Sequence, residues 1–138
     1  MDVIVMMRVR LNENVIKMPV KTKNIYDPVE SADGYRVLVM RFWPRGVSKD
    51  KIDAWEKELG TEPDLIKKWK SGSISWLEFS KQYRRFAVRH KDKIDELAQR
   101  AKHETITFLC SCRDELHCHR TILKELVLKN RKGHKQKL

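Results

Sequence analysis

The sequence has no apolar run that approaches the length of a membrane-spanning helix. Its longest uninterrupted apolar runs are Val3–Met7 and Val37–Met40, whereas a spanning helix needs ~20 predominantly apolar residues. The chain is therefore not expected to interact with a membrane by spanning it. The short first run, preceded by Asp2, also argues against a secretory signal peptide.

Cysteine is scarce as well, with three residues in a chain of 138. An odd number cannot be paired completely within one chain, and small secreted domains that depend on disulfides carry more. A chain of this length buries about two-thirds of its unfolded surface without such cross-links. We therefore expect a reduced, cytoplasmic protein.

Acidic residues are few relative to basic ones. The chain has 19 Asp and Glu against 30 Lys and Arg, which gives a formal net charge of +11. Residues 64–93 contain nine Lys and Arg against three acids, and residues 124–138 contain six against one. A nucleic-acid-binding module that uses these two segments is one alternative function. A solvated helix face and a basic tail also explain the same charges.

Three segments are predicted to be strands. Pro19–Ile25 alternates apolar and polar residues, which is typical of a half-buried strand. Tyr35–Phe42 contains four consecutive apolar residues, the pattern of a strand covered on both faces. Thr105–Cys110 is rich in residues that favour strands. Since helical segments separate the last two, we expect them to be parallel.

Helices are predicted in the rest of the chain. Ile52, Trp55 and Leu59 recur at helical spacing between a Ser48 cap and Gly60. Further helices are predicted around residues 65–69, after a Ser75 cap with a bend near residues 89–92, and from about Cys118 onward. The predicted fold is a single three-layer α/β domain over residues 19–128, with a small, mostly parallel sheet and helical crossovers. Residues 1–18 are predicted to be an N-terminal strand or leader, and residues 129–138 a basic, disordered tail.

The most informative segment is Cys110–Arg120, with the sequence Cys-Ser-Cys-Arg-Asp-Glu-Leu-His-Cys-His-Arg. It holds all three cysteines and two of the five histidines of the chain. It lies where a strand is predicted to end and a helix to begin, and open α/β folds bind ligands at such junctions. The segment therefore predicts a functional site, but it identifies neither a cofactor nor a substrate.

Zinc binding is one interpretation of this segment. Cys110, Cys112 and Cys118, together with His117 or His119, form a sufficient ligand set. However, structural zinc sites usually take their ligands from two separated pairs, and these four are local. Our assignment of site residues therefore contains no metal ligands. A zinc-binding protein through Cys110, Cys112, Cys118 and His119 is an alternative.

Nucleophilic catalysis is a second interpretation. Cys118 is predicted at a helix N-terminus, where the helix dipole lowers the pKa of a thiol. Its neighbour His119 can act as a base, so Cys118 and His119 are the candidate catalytic residues. The alternative is that these cysteines are small, buried packing residues.

Anion binding is the interpretation that we favour. If the second and third predicted strands are parallel neighbours, the Arg41–Gly46 and Cys110–Arg120 loops face each other across a crevice. Arginine suits phosphate or carboxylate, and a helix N-terminus adds backbone donors. The candidate ligand-binding residues are Arg41, Trp43, Arg45, Arg113 and Arg120. We expect an anionic, phosphate- or nucleotide-like ligand there, with or without catalysis, although salt bridges to Asp114 or Glu115 would occupy the same arginines.

Several stretches resemble the YeaO-like family of uncharacterised proteins, the domain of unknown function 488. They are Tyr26-Asp27-Pro28, Asp33-Gly34-Tyr35-Arg36-Val37-Leu38-Val39 and Arg41-Phe42-Trp43-Pro44-Arg45-Gly46-Val47-Ser48-Lys49. The likeness extends from about Lys21 to Val127. Some relatives share the Cys118-His119-Arg120 triplet and others have no cysteine there, while Met40 stands where many members have Asp. The resemblance implies a compact α/β fold and no particular activity.

Overall fold

The computed structural model of this chain describes residues 18–136, with side chains described up to residue 132. The predicted N-terminal strand or leader therefore lies outside the described residues, except for Met18. The strands are β1 (Val20–Asn24), β2 (Tyr35–Leu38), β3 (Ala54–Trp55) and β4 (Ile106–Cys110). The helices are α1 (Pro63–Lys70), α2 (Trp76–Val88), α3 (Lys91–Arg100) and α4 (His119–Gln136).

The four strands form one parallel sheet in the order β1-β4-β2-β3. The central strand β4 is buried at all five positions, as expected for a parallel strand covered on both faces. This arrangement confirms the predicted α/β class and the parallel pairing of β2 with β4. Both strands consequently end at the same edge of the sheet.

The predicted helix between residues 48 and 60 is wrong. Two short 3-10 turns flank the two-residue strand β3 in this region. The amide of Asp53 donates to the Arg36 carbonyl at 2.9 Å, and that of Glu56 donates to the Leu38 carbonyl at 2.9 Å. The free edge of β2 thus offers acceptors that a local helix would leave unpaired, and this tertiary pairing overrides the helical spacing.

The sheet separates two hydrophobic clusters of unequal size. The larger cluster joins Val37, Ile106 and Phe108 to the buried sides of α2, α3 and α4. On the other face, Leu38 and Leu109 are covered by turns and loops. The third layer of the domain therefore consists of irregular segments, which suits a short sheet with few residues to cover.

The start of α2 follows from a local interaction, whereas the end of α4 is held by tertiary contacts. Ser75 caps α2 by accepting a hydrogen bond from the Glu78 amide at 3.1 Å, as its spacing predicts. The helix α4 extends through residues 129–136, which were predicted to be a disordered tail. Its Arg131 is buried and donates to the carbonyls of Met18 at 2.7 Å and Ala101 at 3.1 Å, so tertiary contacts hold this part of the helix. None of the described helices is long and apolar enough to cross a membrane.

Candidate functional site: a cavity above a cysteine cluster

A cavity of about 520 Å³ opens where β2 and β4 end, between these strand ends and helix α1. Most of its lining is apolar. Its polar lining comes from the Cys110–His119 segment, from Arg41, from Thr61 and from two lysines of α1. The two loops that the sequence places at one sheet edge therefore share a cavity, although only part of the first loop reaches it.

Three sulfur atoms meet at the base of this cavity. The Sγ atoms of Cys110, Cys112 and Cys118 all lie within 4.8 Å of one another. The Sγ of Cys110 is 3.8 Å from that of Cys112. Cys110 is the last residue of β4 and Cys118 immediately precedes α4, and both are buried, whereas Cys112 is half-buried. The strand-to-helix connection thus folds back and brings thiols eight residues apart into contact.

His119 completes the cluster. Its Nδ1 lies 3.7 Å from the Sγ of Cys118, and its Nε2 lies 2.5 Å from the carbonyl oxygen of Val39. A carbonyl oxygen only accepts, so Nε2 carries the proton and the lone pair of Nδ1 is directed to the sulfur side. Metal-binding histidines are oriented by this kind of hydrogen bond from the second ring nitrogen.

Arg120 holds the backbone around the cluster and does not line the cavity. It is completely buried, and its guanidinium donates to the carbonyls of Lys23 at 2.8 Å, Cys110 at 2.9 Å and Cys112 at 2.8 Å. The sequence predicts that this arginine binds an anion. In the fold its donors are instead directed to carbonyls of β1, of the end of β4 and of the loop that follows, and they tie these segments together.

The thiols titrate as a group. Hydrogen bonds from Cys110 and Cys118 hold the pKa of Cys112 well below its usual range. The hydrogen bond with Cys112, together with burial, raises the pKa of Cys110, and the hydrogen bonds with both other thiols, together with burial, raise the pKa of Cys118. Burial also lowers the pKa of His119 and keeps its imidazole neutral. The first thiolate of the cluster therefore forms on Cys112, which is the most accessible of the three sulfurs.

The candidate catalytic residues Cys118 and His119 both line the cavity, but they are only 2% and 5% exposed. The raised pKa of Cys118 disfavours the thiolate that a nucleophile needs. Their roles in catalysis stay predictions.

Of the candidate ligand-binding residues, Arg41 and Arg113 line the cavity. Gly60 packs so closely against the end of β2 that a Cβ atom there would lie 2.4 Å from the Arg41 amide nitrogen. The Gly60 carbonyl also accepts a hydrogen bond from the Arg41 guanidinium at 3.1 Å. Gly60 was predicted as a helix end, and instead it permits the close approach that places Arg41 beside α1.

Trp43 and Arg45 are not among the residues that line the cavity. The indole of Trp43 donates to the Val47 carbonyl at 2.8 Å and packs edge-on against Trp55 on the loop-covered face. Arg45 is exposed, and its carbonyl accepts a hydrogen bond from the Tyr26 hydroxyl at 2.9 Å. The chain after Phe42 therefore makes its contacts outside the cavity.

The sequence did not identify the residues that α1 and α2 contribute to the cavity. Lys67, Lys70 and Trp69 of α1 and Phe79 of α2 line the cavity. His117 packs against the rings of Trp69 and Trp76, and its Nδ1 lies 2.7 Å from a carboxylate oxygen of Asp114. The basic character of α1 was visible in the sequence, but which strand ends the helix would cover was not.

The basic segment of residues 64–93 is divided among several surfaces. Lys67 and Lys70 line the cavity, whereas Arg84 pairs with Glu125 and Lys93 with Glu56. Nothing in this arrangement favours nucleic acid over other partners, so the nucleic-acid alternative stays a prediction.

The chain is similar in sequence to uncharacterised proteins. Residues 19–137 match the DUF488-N3i family, which is described as an inactive DUF488-N3 subclade. The chain is 34% identical over 110 residues to the uncharacterised protein YeaO of Escherichia coli strain K12, a match that covers 78% of this chain and 96% of YeaO. It is 24% identical over 110 residues to the uncharacterised protein Rv3073c of Mycobacterium tuberculosis strain H37Rv, covering 78% of this chain and 92% of that protein. No solved structure shows significant similarity to the chain.

Proposed function

The chain belongs to the DUF488-N3i family, and we propose that this member uses its cysteine cluster to hold a zinc ion. The ligands would be the three thiolates of Cys110, Cys112 and Cys118 and the Nδ1 atom of His119. The observation that carries the proposal is the clustering of the three Sγ atoms within 4.8 Å of one another at the end of β4, with the Nδ1 atom of His119 3.7 Å from the Cys118 sulfur. Zinc prefers this combination of sulfur and nitrogen ligands.

The distances suit a tetrahedral ion. With Zn–S bonds of about 2.3 Å, neighbouring ligand atoms of a tetrahedral site lie roughly 3.6 to 3.8 Å apart. The Cys110–Cys112 sulfur distance is 3.8 Å, and the distance from the Cys118 sulfur to His119 Nδ1 is 3.7 Å. The three sulfurs lie within 4.8 Å of one another, so a small closing movement among them would suit the ion, and His119 would reach it from the Cys118 side.

The surroundings also support a metal. The Val39 carbonyl fixes His119 in the tautomer that frees Nδ1. Arg120 fixes the backbone carbonyls of Cys110 and Cys112, which keeps two of the ligands in position. A site with four protein ligands leaves no open position for a substrate, which is typical of structural zinc. The description of the family as an inactive subclade agrees with a binding role rather than catalysis.

Metal content of the purified, reduced chain tests this proposal. We expect elemental analysis to find close to one zinc per chain, and a chelator to lower the thermal midpoint without abolishing the fold, because a separate hydrophobic core remains. Replacement by Co²⁺ should produce thiolate-to-metal charge-transfer absorption and the visible bands of a tetrahedral ion. A folded, reduced chain that takes up neither metal would refute the proposal, as would a disulfide among the three cysteines in chain purified under reducing conditions.

A variant at Cys112, the most accessible of the proposed ligands, tests whether the metal binds at this cluster. Cys112 is half-buried, so Cys112→Ser should fold. We expect its zinc affinity to fall by more than the roughly 10- to 100-fold that loss of an outer-shell partner costs. Ser111→Ala, at the neighbouring position, is the matched control and should bind zinc normally. Equal metal content in both variants would place the metal elsewhere.

A further inference from the structure

Three cations at the cavity have no role in the proposed zinc site. Lys67, Lys70 and Arg113 line it, and within residues 18–132 none of the three forms an ion pair. All three residues are exposed and lie at the cavity opening. They come from two separate segments, α1 and the loop after β4, so folding brings their charges together.

The acidic group in the lining is already engaged. Asp114 accepts hydrogen bonds from the Leu116 amide at 3.1 Å and interacts with His117 Nδ1 at 2.7 Å. These contacts satisfy the carboxylate within its own turn. The cavity opening therefore keeps an excess of positive charge that attracts an anion.

The remaining walls are apolar and partly aromatic. Trp69 and Phe79 line the interior, and Phe42, which is 70% exposed, stands at the rim. A volume of about 520 Å³ lies within the range of roughly 300–1,000 Å³ of organic ligand pockets and is far larger than one inorganic phosphate needs. Aromatic side chains such as these stack with flat rings. Charge and shape together specify a ligand with an anionic group and a flat, weakly polar body.

We propose that this cavity binds a mononucleotide-like anion, with its phosphate at Lys67, Lys70 and Arg113 and its ring among the aromatic side chains. The inference does not rest on the zinc proposal, because none of these residues is a proposed zinc ligand. It keeps the anionic ligand and Arg113, which were expected from the sequence, but replaces Arg45 and Arg120 with Lys67 and Lys70 of α1.

Calorimetric titration with three probes tests the proposal. AMP is the probe for the complete ligand, adenosine tests the ring alone, and inorganic phosphate tests the charge alone. We expect AMP to bind at least about tenfold more tightly than either part, because it alone uses both sets of contacts. The affinity for AMP should fall as the salt concentration rises. No binding of AMP up to millimolar concentration would overturn the proposal. Equal affinity for AMP and for either part would also overturn it.

Variants on α1 locate the binding. The double variant Lys67→Ala/Lys70→Ala removes two exposed cations, and we expect its affinity for AMP to fall about tenfold or more. Lys68→Ala is the matched control, because Lys68 lies on the same helix but lines a different depression. Equal losses in both variants would indicate general charge attraction and overturn the site. Both should keep the zinc content of the unmodified chain, so the two proposals can fail separately.

Discussion

Two regions of the molecule treat their charged side chains differently. On the loop-covered face of the sheet, Asp33 is completely buried among cations that neutralise it. In the cavity at the strand ends, the cations are exposed and the sulfurs form a cluster. We call the first group, Asp33 with Lys21, Lys23, Arg36 and Thr107, the Asp33 network. Both regions place several polar side chains against one small sheet. They differ in whether those side chains find partners within the chain.

The Asp33 carboxylate is paired within the chain. The Asp33 carboxylate accepts hydrogen bonds from Lys23 at 3.1 Å, from the Glu30 amide at 3.0 Å and from the guanidinium of Arg36. The Thr107 hydroxyl donates to the Asp33 carbonyl at 2.7 Å and ties the network to β4. Such a closed group of charges stabilises the connection between β1 and β2 and leaves no donor or acceptor of Asp33 for a ligand.

The cavity is the opposite case. Its sulfur atoms and the Nδ1 atom of His119 are directed at one another, and its lysines and Arg113 lack acidic partners among the described residues. The thiols contact one another and the cations are exposed, and the two proposals pair both groups with a ligand from outside the chain. The comparison teaches that the number of charges in a region is less informative than whether those charges are satisfied.

The largest effect is expected in the Asp33 network. Asp33→Asn removes the carboxylate and leaves the charge of the buried Arg36 without compensation. We expect a loss of roughly 3–5 kcal/mol in the free energy of unfolding, measured by urea denaturation. Glu30→Gln is the control, since the Glu30 side chain is exposed and its pairing with Lys23 is worth at most about 1 kcal/mol. Similar losses in both variants would mean that the network is not closed around Asp33.

A smaller effect separates the two arginines of the Cys110–Arg120 segment. Arg120→Met removes three hydrogen bonds from buried carbonyls, and we expect a loss of about 2–3 kcal/mol in the free energy of unfolding. Arg113→Met at the exposed cavity opening should change it by less than about 0.5 kcal/mol. The same urea denaturation measures both. The contrast would fail if Arg120→Met were as stable as Arg113→Met.

The smallest effect is confined to acid. Burial raises the pKa of Asp33, but the hydrogen bonds from the Glu30 amide, Lys23 and Arg36 outweigh it and hold this pKa below its ordinary value. The unfolded chain therefore takes up the proton first as the pH falls. The stability that Asp33 contributes is complete above its unfolded pKa of about 3.9 and is lost as the pH falls toward the lower folded value.

Urea midpoints over a series of acidic pH values measure this dependence. We expect the stability difference between the unmodified chain and Asp33→Asn to be constant near neutral pH and to shrink below about pH 4. The cysteine cluster is the same in both proteins, so the difference isolates Asp33. A difference that grows in acid would contradict the lowered pKa.

Much of the fold could be predicted because periodicity and strand propensity are local properties. The strands around Val37 and Phe108, the Ser75 cap and the break between α2 and α3 follow from residues that are neighbours in sequence. The helix predicted over residues 48–60 failed because the free edge of β2 supplied partners from a distant part of the chain. For the same reason Arg120 could not be distinguished from a ligand-binding arginine, since its acceptors are carbonyls of two different strands.

The sequence by itself determined the α/β class, the parallel order implied by its crossovers and the position of the chemically rich segment at Cys110–Arg120. Only the tertiary structure decided what that segment can do. The distance between two side chains eight residues apart depends on how the connection folds back, and the lysines of α1 reach the cavity only through the packing of that helix over the strand ends. Whether a polar group has a partner is a property of its three-dimensional neighbours. The carboxylate of Asp33 and the guanidinium of Arg120 form hydrogen bonds within the chain, whereas Lys67, Lys70 and Arg113 form no ion pair among the described residues.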